Sequence, residues 1–473
     1  MEIKIKKISE NIWEIPKEDG MLVPGRIFAS DKLMEYIKKD KTLEQVKNVA
    51  HIKGIKEYSM ALMDAHQGYG MSIGGVAAFD PDEGVISPGM TGYDINCGVR
   101  VISTNIKVTD FLKKRTEILE ELYKEIPSGV GKKAKIRVDK KMLKEVCEEG
   151  VDWCIKNGYA TKEDKERTEE NGCMKDADFK EVTERAIQRG MPQLGSLGAG
   201  NHFLEVQKVD EIFDEKIAGV FGIEKDNIVI MIHCGSRGFG HQTASDYIKM
   251  MEEEYGFKDL PDRELICAPF KSELGQKYYK AMCCAVNYAF CNRQMITHWI
   301  RETFRKFFPE SELKLIYDVA HNISKLEEHI IKGKKEEVVI IRKGATRSFG
   351  PGRKEIPKIY RNIGQPILVP GSMGTFSYIL IGTNKAEEIS LSSTCHGAGR
   401  VMSRHAALNQ FRGEQIKKEL KEKDIEIKAG GWKSIAEEAP GVYKDVNEVV
   451  KVSHELGIGN LVVKLKPLMV MKG

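Results

Sequence analysis

Along residues 109–126, "TDFLKKRTEILEELYKEI", apolar side chains recur three and four positions apart among charges, the period of a helix with one buried face. The same spacing predicts helices over 410–423 and, in a longer stretch, over 271–308. Elsewhere the pattern changes. Short apolar, β-branched runs predict strands, and each stops at a turn rich in Gly, Asn or Ser with a polar residue at the stop. "NIVIMI" runs into His233 and Arg237, "LKLIYDVA" into His321 and Asn322, "EVVII" into Arg342 and Lys343, and "QPILV" into Pro370 and Ser372. Polar groups at the rim of a rigid sheet are where sites are commonly built. The pattern therefore predicts an α+β fold with a mixed β-sheet core, surrounding helices, and functional groups gathered at strand ends. Length alone suggests about three domains, yet no linker, low-complexity run or internal repeat offers a place to cut.

Composition narrows the class. Hydrophobic residues make up 41% and charged residues 30% of the chain, as in soluble globular proteins. No apolar stretch approaches the ~18 residues a membrane span needs, and "MEIKIKKISE" has no apolar signal core. A cytoplasmic, unanchored protein is expected. The ten cysteines lack the spacing of a disulfide framework and read as reduced thiols, with Cys283, Cys284 and Cys291 as core packing. A net charge of +4 does not by itself diagnose nucleic-acid binding, so charge placement decides. The G-x-x-x-x-G-K-[ST], complete G-x-G-x-x-G, H-E-x-x-H and C-x-x-C signatures are all absent.

What remains is a scattered set of ligand-type residues. Asp94 and Cys97 stand three apart in "TGYDINCGVR"; Asn201 and His202 follow a glycine-rich run; "IHCGSRGFGHQ" offers His233 and His241, and "YDVAHNIS" offers His321. Each alone reads equally as a turn or capping residue. Asp94, Cys97, His202, His233 and His321 together, all at strand-to-loop junctions, argue for a metal centre. Two metals fit five ligands better than one, since a Cys97 thiolate can bridge, and the donor set leaves zinc and manganese both open. His66 and His241 are at most indirect contributors, and His51, His298, His329, His405 and His454 read as structural. Residues 342–361 carry seven Lys/Arg against one Glu, and their glycines and proline predict a basic loop suited to a polyanion. The glycines of "PGSMGT" and "CHGAGR" let backbone amides approach phosphate. For His396, between Cys395 and that glycine turn, three readings stand: metal ligand, covalent nucleophile, or buried side chain.

Taken in order, "GYDINCGVR", "GNHFLEVQ", "HCGSRGFGHQ", "DVAHN", "RKGATR", "PGSMGT" and "HGAGRVMSR" resemble the RtcB family of GTP-dependent RNA ligases over essentially the whole chain. The resemblance implies a single compact α+β catalytic domain over 1–473 with a two-manganese centre. It implies joining of RNA ends bearing a 2′,3′-cyclic phosphate or 3′-phosphate to 5′-hydroxyl ends, in tRNA splicing and RNA repair. Cys97 would be shared by both metals, His202 completing one site and Asp94, His233 and His321 the other. His396 would be the nucleophile that takes GMP from GTP. Asn201, Phe203, Glu205, Asn322, Pro370, Ser372, Ser377, Tyr443 and Lys472 would surround the guanosine, with Gly397, Ala398 and Gly399 near the phosphate. Arg237, Lys343 and Arg347 would contact RNA or phosphate. The implied partners are tRNA halves or broken RNA ends and a small activating protein of the archease kind, and a monomer would suffice. Three positions depart from the family pattern: Met63, Cys234 and Ile341. A two-metal phosphodiesterase would leave His396 and "HGAGR" without a role. A non-catalytic RNA-binding protein predicts loss of a ligand or of His396, and all are present.

Overall fold

The computed structural model describes residues 3–473. Its framework is two large sheets. In the first, seven strands lie in the order Lys6–Ser9, Ile12–Ile15, Gly25–Phe28, Ile55–His66, Ile73–Phe79, Lys334–Lys343, Asn322–Ile331. The second runs Leu313–Ala320, Gly98–Lys107, Asn227–Cys234, Phe203–Ile212, Asn460–Lys472, Ser377–Ile381, Pro366–Val369, and Glu426–Ala429 lies beside the C-terminal half of Asn460–Lys472. Most neighbours are antiparallel; Gly25–Phe28 with Ile55–His66, and Glu426–Ala429 with Asn460–Lys472, are parallel. The mixed-sheet α+β expectation holds.

The continuous apolar run in Asn227–Cys234 follows from burial on both faces. Side chains alternate across a strand, so Ile228, Ile230 and Ile232 enter a core shared with Phe111, Ile118 and Leu122 of the helix Val108–Glu125. Val229 and Met231 enter the opposite core with Tyr317 and Tyr360. The helix Glu273–Phe307 opens with Ser272 Oγ accepting from Gly275 N–H, an N-cap. At ~1.5 Å per residue it runs about 50 Å. Its middle is buried all round, its polar side chains Asn287, Asn292, Arg293 and Gln294 all hydrogen-bonded internally, and Cys283, Cys284 and Cys291 are packing groups with no exposure.

Two expectations need correction. Residues 410–423 are not one helix: Phe411 and Arg412 are extended, separating Arg404–Gln410 from Gly413–Glu422. A Cβ on Gly413 would stand 2.3 Å from the Trp432 carbonyl oxygen, so the chain can pass there only as glycine. The basic segment is also not a loop at its start. Arg342 and Lys343 end the strand Lys334–Lys343, Arg347 closes the strand Ala345–Arg347, and all three are buried. Arg342 is held by both carboxylate oxygens of Glu327 at 2.9 Å, on the adjoining hairpin strand, and Arg347 by Glu170 at 2.8 Å, a charge from a distant part of the chain.

One buried ionic group braces the second sheet. Asp318 accepts from Arg100 Nε (2.6 Å) and from Arg293 Nε (2.9 Å) and Nη2 (2.7 Å), all three side chains being fully buried. Arg293 also donates to the carbonyls of Asn96 and Cys234, the backbone beside Cys97 and His233. Asp318→Asn strands two buried guanidinium charges and is expected to cost about 3–5 kcal/mol, measured as a lower denaturation midpoint.

Candidate active site

Register places the ligand-type residues together. Gly98 pairs with Ala320 on one side and Cys234 on the other, and His233 pairs with Phe203. Cys97, His202, His233 and His321 therefore meet at one end of four neighbouring strands. His321 is also the single residue between Leu313–Ala320 of the second sheet and Asn322–Ile331 of the first, so the site lies on the seam between the sheets.

Two triads result, Cys97–His233–His321 and Asp94–Cys97–His202, with the ligand atoms in each within 4.8 Å of one another. Cys97 Sγ lies 3.3 Å from His233 Nε2 and 3.4 Å from His202 Nε2. His233 Nε2 and His321 Nε2 are 3.2 Å apart, and His202 Nε2 lies 2.7 Å from Asp94 Oδ2. Cys97 is common to both triads. The partition differs from the expected one: Asp94 belongs with His202, not with His233 and His321, because its carboxylate meets the His202 ring directly.

The electrostatics differ among the imidazoles: against burial, Cys234, Asp94 and Cys97 hold His202 well above the usual histidine range, a proton that a bound cation would have to displace. Burial, with the charge of His202 on His233 and of His396 on His321, holds both imidazoles well below the usual histidine range, which keeps them neutral, the form that ligates. Burial and the Asp94 carboxylate push the Cys97 thiol up to about 12. A cation bound there would displace that proton, since thiolate is the ligating form. Nitrogen, sulfur and carboxylate donors converging in a buried space suit a transition metal.

His396 follows the strand Ser393–Cys395 and faces the same space, its ring centroid 4.9 Å from that of His321. Asp64, at the end of Ile55–His66, holds it. Asp64 Oδ2 accepts from His396 Nδ1 (2.6 Å), from His396 N–H (2.8 Å) and from Gly397 N–H (3.3 Å). Burial opposes charge on Asp64, but the His396 ring and these donors keep its carboxyl below the usual range. No protein group among the described residues bonds His396 Nε2. The following turn is tight: Gly399 has φ +74°, and a Cβ there would stand 2.1 Å from the Asp64 carbonyl oxygen.

The cavity, of about 360 Å³, is lined by Asp94, Cys97, Asn201, Phe203, His233, His321, Asn322, Lys343, Pro370, Ser372, His396, Gly397, Ala398, Gly399, Tyr443 and Lys472. His202 and Arg237 face an adjoining groove with Arg189 and Arg404. Glu205 and Ser377 lie behind the wall, both accepting from Gln207 Nε2 (2.8 and 3.0 Å). Lys343 lines the cavity, but its amine is committed to the carbonyls of Tyr69 and Gly89, and burial pushes it down to about 7. Arg347 lies outside both spaces, buried against Glu170, with no face to offer a ligand.

A family model described as "tRNA-splicing ligase RtcB" matches residues 45–473. The chain belongs to the RtcB family. Proteins named tRNA-splicing ligase RtcB from Thermococcus kodakarensis and Methanococcus maripaludis are each 51% identical to it, over 100% of this chain and 99% and 100% of their own lengths. One from Archaeoglobus fulgidus is 50% identical over 100% of both. With its family the chain is an enzyme, a ligase.

This RtcB site also contains groups outside the expected set. Asp64 is the chief one, and "ALMDAHQGYG" carries the same signal as the other sites, an apolar run stopping at a polar residue before glycines. His66 lines the cavity, with burial and the Lys444 charge pushing it down to about 3. Arg400, Arg404 and Glu438 also line it, Glu438 accepting from Arg400 Nη1 at 3.1 Å and from the Tyr443 hydroxyl. Cys234 is fully buried beside His202 Nδ1 (3.9 Å) and accepts from Asn292 Nδ2 (3.2 Å). Among the described residues no helix is long and apolar enough to cross a membrane.

Glu205 provides a pH test. Burial pushes its carboxyl from the ordinary 4.5 up to about 8, so the folded chain keeps a proton that the unfolded chain releases. Folding is then favoured below about 4.5 relative to higher pH, and that stability is lost as pH rises toward 8. Glu205→Gln is expected to flatten this decline, read as denaturation midpoints measured from pH 4 to 9.

Proposed function

We propose that the chain joins RNA ends bearing a 2′,3′-cyclic phosphate or 3′-phosphate to 5′-hydroxyl ends, using GTP and manganese, with GMP carried on His396. The observation that carries this reading is His396 itself: Nδ1 is fixed on the Asp64 carboxylate, and Nε2 is left free in the cavity of both ligand triads. A carboxylate on Nδ1 also orients metal-ligating histidines; what favours the nucleophile is that His396 belongs to neither triad.

Each residue then has a chemical task. Asp64 keeps the ring hydrogen on Nδ1, so the lone pair stands on Nε2, the atom that attacks phosphorus. Bonding at Nε2 makes the ring cationic, and the adjacent Asp64 carboxylate stabilises that charge. Attack on the α-phosphorus of GTP releases pyrophosphate. A cyclic phosphate is first opened by water to a 3′-phosphate, whose oxygen takes GMP from His396 and frees Nε2; the 5′-hydroxyl then attacks the RNA phosphorus, gives up its proton and expels GMP. Asp94, Cys97 and His202 would hold one manganese and Cys97, His233 and His321 the other, supplying charge neutralisation at the phosphoryl groups. Asn201, Phe203, Asn322, Pro370, Ser372, Tyr443 and Lys472 wall the space a guanosine would take, and Glu205 and Ser377 back it through Gln207. The amides of Ala398 and Gly399 would face its phosphate, while the Gly397 amide stays on Asp64. Arg237, with Arg189 and Arg404 in the adjoining groove, is placed to meet RNA phosphates. The names of the relatives support tRNA halves as substrates.

The test is an RNA with a 2′,3′-cyclic-phosphate end mixed with a 5′-hydroxyl RNA and Mn²⁺, with and without GTP. A joined product that requires GTP is expected. Opening of the cyclic phosphate without joining, at a rate indifferent to GTP, would identify a phosphodiesterase instead.

A further inference from the structure

A second groove lies outside the cavity, between the helix Val108–Glu125 and the helices Gly413–Glu422 and Trp432–Glu437, with the strand Glu426–Ala429 at its base. We propose that it is an auxiliary subsite for single-stranded RNA, in which Trp432 stacks on a base and Lys417 and Lys421 hold the backbone. This rests on the RNA-ligase reading and extends it to nucleotides several positions from the joined ends.

Three observations carry the inference. Trp432 is 48% exposed, an unusual state for the largest apolar side chain, and it stands on the groove wall. Lys417 and Lys421 are four apart on one helix, so they share a face. Lys417 Nζ is 5.6 Å from the Trp432 ring centroid, and neither lysine has a carboxylate partner among the described residues. The carboxylates that line the groove have other partners: Asp424 and Glu426 share Arg115 at 2.8 and 3.2 Å, and Glu120 meets Lys428, so the lining holds four cationic and three anionic side chains. The unmatched charge is positive and sits beside an exposed π-face. An aromatic platform with flanking cations is what binds single strands without reading their sequence.

The groove and the cavity are linked through the chain, though they share no lining residue. Trp432–Glu437 rises ~1.5 Å per residue, about 9 Å, and leads directly to Glu438 on the cavity wall. Ala429 at the groove's base pairs with Lys472, which lines the cavity.

The experiment is binding of fluorescent oligouridylates of about 20 and about 4 nucleotides, lengths that bracket the ~4–16 such grooves cover, read by anisotropy. Trp432→Ala is expected to weaken the longer oligomer about tenfold and leave the shorter one unchanged, and Trp432→Phe to restore most of the loss. Lys417→Gln with Lys421→Gln should reduce the slope of log Kd against log salt by about 1–2. These variants should take a covalent GMP label as wild type does. Unchanged binding of the longer oligomer in both the tryptophan and the lysine variants would overturn the proposal, and the free edge of Glu426–Ala429 would then suit a protein strand. Failure of the ligase reading shows differently, as wild type that binds RNA but never joins it.

Discussion

Cys97→Ala is expected to remove both metals and all RNA joining. The thiol is the one atom common to the two triads, 3.3 Å from His233 Nε2 and 3.4 Å from His202 Nε2. Its loss leaves each triad with two ligands, too few to compete with solvent for a divalent ion. Metal content measured by elemental mass spectrometry after gel filtration should fall from about two per chain to near none, the bridged pair that a shared thiolate allows. His202→Ala should remove one metal and retain the other, since His233 and His321 keep Cys97. A Cys97→Ala protein that holds one metal as tightly as wild type would show that the thiol is not shared.

Asp64→Asn is expected to lower the rate of GMP transfer by about 10³–10⁴-fold, the scale seen when a carboxylate that fixes a catalytic histidine becomes an amide. The asparagine keeps the volume but loses the charge, and its NH₂ can turn toward Nδ1. That orientation would put the ring hydrogen on Nε2, where the lone pair is needed. Metal content should be unchanged, because Asp64 belongs to neither triad. Rates measured in single turnover with GTP test this, and a loss under tenfold would mean that Asp64 merely supports the turn at His396 and Gly397.

Much of this site is legible in the sequence because it is built at strand ends. An apolar run that stops at a histidine before a glycine or asparagine announces a side chain leaving a sheet edge, and His233 and His321 both lie there. Pairing across space is less legible. Which histidine shares a metal site with Asp94 depends on the register of Gly98, Cys234 and Phe203 across three strands. Asp64 stands 332 residues from His396, and only the packing of the first sheet against the turn at 396–399 brings them to 2.6 Å. Arg347 failed as a surface cation for the same reason. Lysines, arginines and glycines in succession read as a solvated loop, while the carboxylates of Glu169 and Glu170 that draw the arginine inward are 177 or more positions away. The split of 410–423 was hidden because Phe411 continues the helical apolar spacing, and the contact that stops it, Gly413 against Trp432, is tertiary.

The central claim is that His396 carries the nucleotide. The most direct measurement is incubation with α-phosphate-labelled GTP and Mn²⁺, followed by denaturing electrophoresis of wild type and His396→Ala. The account predicts a labelled wild-type band, lost on acid treatment as a phosphoramidate is, and no band from the variant of equal metal content. A label that persists in His396→Ala, or a wild-type protein that holds its metals and takes no label, would contradict it.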